Sequence, residues 1–244
     1  SKLDYVASLG VDGVWISPFF TSPMHDFGYD IADFRGVDPI FGTLEDFDRL
    51  LGKAHSLGLK VIIDQVYSHA SINCEWFQES RQDKSNDKED WFVWADAKSD
   101  GNLPTNWQAV FSGSSWTWDE HRQQYYMHNF LPQQPDMNLH NPAVQEELLA
   151  VAKFWLDHGV DGFRLDATNF YMHDPKLRDN PECVDPISSK PFDMQDQLYN
   201  QSHPDIVKFL RRIRKLMDSY GDKFTVAEVG GRRSLQEMAE YTQG

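Results

Sequence analysis

The chain has 244 residues, and its 23 Lys and Arg against 38 Asp and Glu give a formal net charge of −15. With 40% apolar, 14% aromatic and 25% charged residues it has an ordinary globular composition, which excludes a disordered or fibrous chain, and no stretch approaches the ~20 apolar residues of a bilayer helix. The acidic balance argues against nucleic acid and anionic membranes as partners, since both recruit clustered Lys and Arg, and it leaves a neutral small molecule.

Residues 2–10 predict an amphipathic helix already under way at the first residue, followed by an apolar strand over residues 11–17. Because the pattern opens in mid-helix at Ser1 and breaks off inside another helical period at Gly244, the chain is expected to be an internal piece of a longer protein. Thr43 and Asp46 make a capping-box pattern, and Leu44, Phe47, Leu51 and Ala54 follow at helical spacing. A second strand, residues 59–64, ends on Asp64.

A long insertion then runs over residues 70–140 and holds six of the eight tryptophans, Trp76, Trp91, Trp94, Trp107, Trp116 and Trp118. A structureless loop of that length is improbable in a compact domain. The aromatics therefore predict a small subdomain over one rim of the fold, either as its core or as rigid amphipathic surfaces that stack on sugars. The hydrophilic run 82–90 reads as a solvated loop.

Asn141-Pro142 opens the next helix, with Pro at its first position and Val144, Leu148, Val151, Trp155 and Leu156 on its buried face. A third strand spans residues 160–166. Ile206, Leu210, Ile213 and Met217 line another helix, and a fourth strand spans residues 224–228. Gly10, Gly58, Gly159 and Gly221 precede the four strands, where a helix C-terminus favours positive φ. Alternating helices and near-continuous apolar strands predict an α/β fold with a parallel sheet. Acidic residues at the strand C-termini and the lack of a Gly-rich phosphate turn favour a (β/α)8 barrel over an open doubly wound sheet. Four strands make this a partial barrel.

The candidate chemistry sits at those strand ends. Alternation along the third strand puts Phe163 and Leu165 toward the helices and Arg164 and Asp166 toward the interior. A charged pair there is costly unless used, and Arg164 would hold Asp166 ionised, as a nucleophile requires; the competing reading is a structural ion pair. Glu228 ends the fourth strand among apolar neighbours, which would raise its pKa and suit a general acid. Two carboxylates on adjacent strand ends could stand about 5–5.5 Å apart, the retaining-glycosidase separation. His69 lies just past the second strand. No His, Asp and Glu spacing resembles a metal site, so none is expected. Cys74 and Cys183 are too few for a disulfide framework and read as free thiols in a reducing compartment, hence a cytoplasmic protein, with one bridge left open. Asn200-Gln201-Ser202 fits a glycosylation sequon by accident of its shortness.

Taken together, these segments resemble the α-amylase superfamily, glycoside hydrolase family 13, over essentially the whole chain. Residues 64–69 (DQVYSH), 162–167 (GFRLDA), 227–229 (AEV) and 134–138 (QPDMN) are similar to four of its short motifs in the right order. Residues 17–23, 27–31 and 173–181 are closest to bacterial α-glucosidases within it. The resemblance implies a barrel with its inserted subdomain after the family's third strand, divided as residues 1–69, 70–140 and 141–244. It implies that Asp166 attacks the anomeric carbon and that Glu228 is the acid/base. It also implies that Asp30, His69 and Arg164 hold the non-reducing glucose of a maltose-like oligosaccharide, with Tyr29 and Phe130 assisting. Ala167 after the nucleophile fits α-1,4 preference, where α-1,6-preferring members tend to carry Val. Ser68 stands where calcium-binding members have Asn, so no cofactor is expected from these residues, and calcium would belong to a longer parent. The family's fourth motif, with a His-Asp pair and the third carboxylate, would lie beyond Gly244, and the fragment alone is expected to be inactive. Trehalose synthase, oligo-1,6-glucosidase and sucrose-cleaving members share these motifs. A non-catalytic relative such as a transporter heavy-chain ectodomain is the alternative outside enzymes.

Overall fold

The computed structural model describes residues 2–243; Ser1 and Gly244, on which the expectation of a fragment turns, lie outside the described residues. In chain order the elements are α1 (Leu3–Ser8), β1 (Gly13–Ile16), α2 (Leu44–Ser56), β2 (Lys60–Gln65), α3 (Glu75–Ser80), β3 (Trp94–Ala95), β4 (Trp116–Asp119), β5 (Gln124–Met127), α4 (Pro142–Asp157), β6 (Gly162–Leu165), a 3-10 turn (Thr168–Phe170), α5 (Ile206–Asp218), β7 (Phe224–Ala227) and α6 (Ser234–Tyr241). β1, β2, β6 and β7 form one parallel sheet in that order, half the strand complement of a (β/α)8 barrel.

Local chemistry sets the element ends. The Thr43 hydroxyl accepts from the Asp46 amide while the Asp46 carboxylate accepts from the Thr43 amide, closing the capping box of α2. Asn141 caps α4 by accepting from the Ala143 amide, with Pro142 at the first helical position. Gly10, Gly58, Gly159 and Gly221 all take positive φ after their helices. Gly162 is required for another reason: a Cβ there would overlap the Phe224 carbonyl across the β6–β7 ladder.

The main core packs the helices against the outer face of the sheet. Val61, Ile63, Phe163 and Leu165 point into it and are buried, so the alternation expected for the third strand holds. Trp155 is fully buried, donates its indole N–H to the Phe34 carbonyl at 2.9 Å and packs against Phe19 and Phe47. On α5 the buried stripe is Ile206, Phe209, Ile213 and Met217. Phe209 thus takes the place expected of Leu210, which is half-buried, because i, i+3 and i+7 positions share the inner face. On the inner side the half-barrel is open, and Trp15, Phe224 and Val226 are exposed.

The insertion carries a three-stranded antiparallel sheet, β3-β5-β4, and a small core of Val93, Ala95, Trp107, Trp116 and Met127. Most of its tryptophans are structural: Trp107 and Trp116 build this core, while Trp76, Trp91 and Trp94 pack on the main one. The 82–90 run is mostly exposed, and one buried side chain ties it down. Arg122 donates to the carbonyls of Ser80, Asp83 and Glu89 and lies over the Trp94 ring, 4.5 Å from its centroid. Asn200 of the sequon is fully buried and bonded to Asn180 and Asn129, so it is inaccessible to a glycan. Both cysteines are buried and free. Among the described residues no helix is long and apolar enough to cross a membrane.

Candidate active site

The parallel register places three acidic strand ends around one cation. Asp64 on β2 is level with Arg164 on β6, and Arg164 is level with Val226 on β7. With side chains alternating, Asp64, Arg164, Asp166 and Glu228 share the inner face. The Arg164 guanidinium donates through one nitrogen to Asp64 Oδ1 and Asp166 Oδ1, each at 2.6 Å. Its other terminal nitrogen lies 2.8 Å from Glu228 Oε2. The planar fork suits this arrangement, since it can serve several carboxylates at fixed angles.

Three carboxylates on one guanidinium leave excess negative charge in a poorly hydrated place. Burial pushes the Asp166 carboxyl up to about 7, with Arg164 pulling it down and Glu228 and Asp64 pushing it up. Asp64 is raised as well, by burial first, against the pull of Arg164. Burial works against the charge on Arg164, but its three carboxylate neighbours hold its pKa above the usual value. Arg164 therefore holds Asp166 ionised only in part, against the stronger effect of burial. Glu228 differs from expectation too: its side chain is 53% exposed, and its partners are the Arg164 guanidinium and the Ala167 amide at 3.1 Å rather than apolar groups. Ala167 reaches it by adopting a left-handed conformation (φ 42°, ψ 47°) directly after Asp166, a strained choice for a residue with a Cβ.

Tyr29 closes one side. Its hydroxyl accepts from Arg164 at 3.3 Å, and burial, with Asp64 next, pushes the phenol up to about 12. The preceding Gly28 has φ +103°, and a Cβ on it would meet the Pro18 carbonyl at 2.8 Å, so only glycine lets the loop present Tyr29 here. His69 is buried and lies against Tyr29: its Nε2 is 3.1 Å from the Tyr29 carbonyl and its Nδ1 is 2.9 Å from the Ser68 hydroxyl. Burial drives its pKa down to about 4, so the imidazole is neutral near pH 7. The Phe130 ring leans on His69, with centroids 5.2 Å apart, and on Phe170 at 5.1 Å.

Asp166, Glu228, Arg164, Tyr29, His69 and Phe130 are thus brought together, and Asp30 lies near enough for its charge to act on His69 but is taken up by its own loop. Its carboxylate is fully buried and accepts from the Ser22 hydroxyl and the His25 and Asp26 amides, bracing its own loop. The carboxylate that loop offers toward His69 belongs to Asp26, which accepts from the Gln134 amide at 2.9 Å; the same Gln134 nitrogen is 3.0 Å from His69 Nε2. Trp15 also joins, donating its indole N–H to Asp64 at 3.0 Å with Arg164 5.2 Å from its ring centroid. Sequence reasoning passed over Asp64, Trp15, Asp26 and Gln134 as site members. Asp64 ends a strand as Asp166 does and could have been included, but nothing local marks the other three. A cleft of about 760 Å³ is lined by Asn169, Phe170, Gly230, Gly231 and Glu237, and by none of the three carboxylates around Arg164.

Comparison with known proteins places the chain among characterised relatives. The family model described as alpha amylase, catalytic domain, matches residues 1–244. The chain is 54% identical over 252 residues to a probable alpha-glucosidase of Rhizobium meliloti (strain 1021), covering 100% of this chain and 46% of that protein. It is 44% identical over 229 residues to maltase A2 of Drosophila melanogaster, covering 90% of this chain and 40% of that one. Among solved structures, an alpha-glucosyl transfer enzyme, XgtA, matches with a TM-score of 0.97 and 55% identity, over 99% of this chain and 46% of that chain. The chain therefore spans less than half the length of these relatives.

Proposed function

We propose, from the premise that this chain belongs to the alpha-amylase catalytic-domain family, that it carries the nucleophile and the acid/base of a retaining α-glucosidase acting on maltose-like oligosaccharides. The observation that carries the reading is the bridging of Asp166 and Glu228, on adjacent strand ends, by the two terminal nitrogens of Arg164. Two carboxyl groups within the span of one guanidinium suit a double displacement, in which no water has to fit between carboxylate and sugar in the first step.

In that step an Asp166 oxygen bonds to the anomeric carbon as the glycosidic C–O bond breaks, and Glu228 gives its proton to the leaving oxygen. In the second, the Glu228 carboxylate takes a proton from water, whose oxygen attacks the anomeric carbon and frees Asp166. Arg164 sets the geometry of both groups, while Tyr29, neutral His69 and the Phe130 ring form the wall against the terminal glucose. Asp30 acts on the sugar only through the loop it braces, and Asp26 on that loop is the carboxylate placed to accept from a sugar hydroxyl. In this reading residues 1–69 and 141–244 are the barrel, residues 70–140 the inserted unit, and the His-Asp pair and third carboxylate implied by the family lie outside this chain. The buried free thiols suit a reducing cytoplasm.

A fluorinated α-glucosyl fluoride, which forms the glycosyl-enzyme quickly and hydrolyses it slowly, tests the assignment in the full-length protein that contains this chain. Peptide mass mapping should find one glucosyl adduct, on Asp166, absent from Asp166→Asn. An adduct elsewhere, or full turnover by Asp166→Asn, would overturn it. A second reading is glucosyl transfer, favoured by the likeness to the transfer enzyme XgtA. The covalent intermediate is the same, and a sugar hydroxyl replaces water. The product ratio of glucose to longer oligosaccharides from maltose separates the two.

A further inference from the structure

Away from the carboxylate cluster, three histidines from separate segments converge where α4 and α5 begin. His140 precedes the Asn141 cap of α4, His173 follows the 3-10 turn, and His203 lies just ahead of α5. The His140 ring stands edge-on to His173, with centroids 5.2 Å apart, and to His203, at 4.9 Å. Asp205, at the N-cap position of α5, completes the group.

Two features of this cluster go beyond proximity. His140 Nε2 is 2.7 Å from the His173 carbonyl, which can only accept, so Nε2 carries the proton and Nδ1 keeps a free lone pair. An imidazole N–H held by a backbone carbonyl is the arrangement that orients histidine ligands toward a metal. Aspartate at an N-cap normally accepts from its own helix, yet Asp205 makes no such bond. One of its oxygens pairs with Lys208 at 2.5 Å and the other lies 3.9 Å from His203 Nδ1. The Asp205 backbone amide lies 3.3 Å from His203 Nδ1, and a metal ion at that nitrogen would take its place.

We propose that His140, His203 and Asp205 bind a divalent transition metal of the Zn²⁺ class, pinning the start of α4 to the start of α5. Their ligand atoms all lie within 4.8 Å of one another and all three residues are half-buried. Small side-chain rotations would bring them onto one ion at about 2.0–2.2 Å, with water in the remaining position. Two imidazoles and one carboxylate select Zn²⁺, Co²⁺ or Ni²⁺ over Ca²⁺ or Mg²⁺, which prefer all-oxygen shells. None of the three residues belongs to the carboxylate cluster, so this inference stands independently of the proposed glucosidase activity.

Co²⁺ titration of chelator-treated protein, read by visible ligand-field absorption, tests the proposal. One equivalent should produce a band that Zn²⁺ displaces, and Zn²⁺ should raise Tm. Both effects should vanish in His203→Ala and in Asp205→Asn, with circular dichroism reporting that each variant is folded, and persist in His121→Ala, an exposed histidine elsewhere. Absence of a stoichiometric band in the unaltered protein, or a band that survives both substitutions, would overturn it.

Discussion

Replacing Asp166 by Asn should stabilise the protein, and by an amount that depends on pH. Burial lifts the Asp166 carboxyl from 3.8 to about 7 in the folded chain, a rise of about 3 units, worth about 4 kcal/mol at ~1.36 kcal/mol per unit. The folded pKa lies above the unfolded one, so the fold favours the protonated form. Its contribution to stability is complete below about pH 4 and is lost as pH rises through about 7. Asparagine mimics the protonated carboxyl at every pH and leaves Arg164 paired with Asp64 and Glu228. The two proteins should therefore be about equally stable near pH 4, and Asp166→Asn should be more stable by up to about 4 kcal/mol above pH 7. Urea unfolding followed by tryptophan fluorescence, repeated across this window, measures the difference. A gap that stays constant or shrinks with rising pH would refute the reasoning.

Three further outcomes test the scaffold. Gly162→Ala should push β7 away from β6, because its Cβ overlaps the Phe224 carbonyl, and cost about 1–3 kcal/mol; an unchanged thermal melt would contradict the close strand approach. Trp155→Ala removes a fully buried ring and leaves the Phe34 carbonyl without its indole donor, so chemical denaturation should register a loss of about 3–5 kcal/mol. Thr43→Ala opens the capping box of α2 and should cost about 1 kcal/mol, most of it recovered in Thr43→Ser.

The parts of this fold that were readable in the sequence are those governed by short periods. Gly58 and Gly159, the α2 capping box and the apolar runs at residues 59–64 and 160–166 depend only on neighbours a few residues away. The strand-end carboxylates Asp166 and Glu228 followed from the same logic, since a strand's C-terminus fixes which rim its last side chain joins. Other features depend on contacts far apart in sequence. Trp15 reaches Asp64 across 49 positions, and Arg164 reaches Tyr29 across 135. That the loop's own amides take up the carboxylate of Asp30 rather than that of Asp26 is encoded by no periodicity. The environment of Glu228 is non-local in the same way: Phe224, Val226 and Ala227 are apolar along the chain, but the groups nearest its carboxylate are Arg164 of β6 and the Ala167 amide of the turn after it. In the insertion, strands of two to four residues are too short to show an alternation, and aromatic content alone did not foretell an antiparallel sheet.

Because β1, β2, β6 and β7 pair in the order in which they occur along the chain, the sheet can be assembled as the ribosome releases it. Each new strand adds to an edge already present, and none has to be inserted between two finished neighbours. The longest interval falls between β2 and β6, where Arg164 arrives 100 residues after Asp64. Closing an open loop of that length carries an entropic cost that grows only with the logarithm of its length. The cation that organises the carboxylates is then delivered to Asp64 and Asp166 before Glu228 emerges, so the first two acidic groups meet a counter-charge before the third is added.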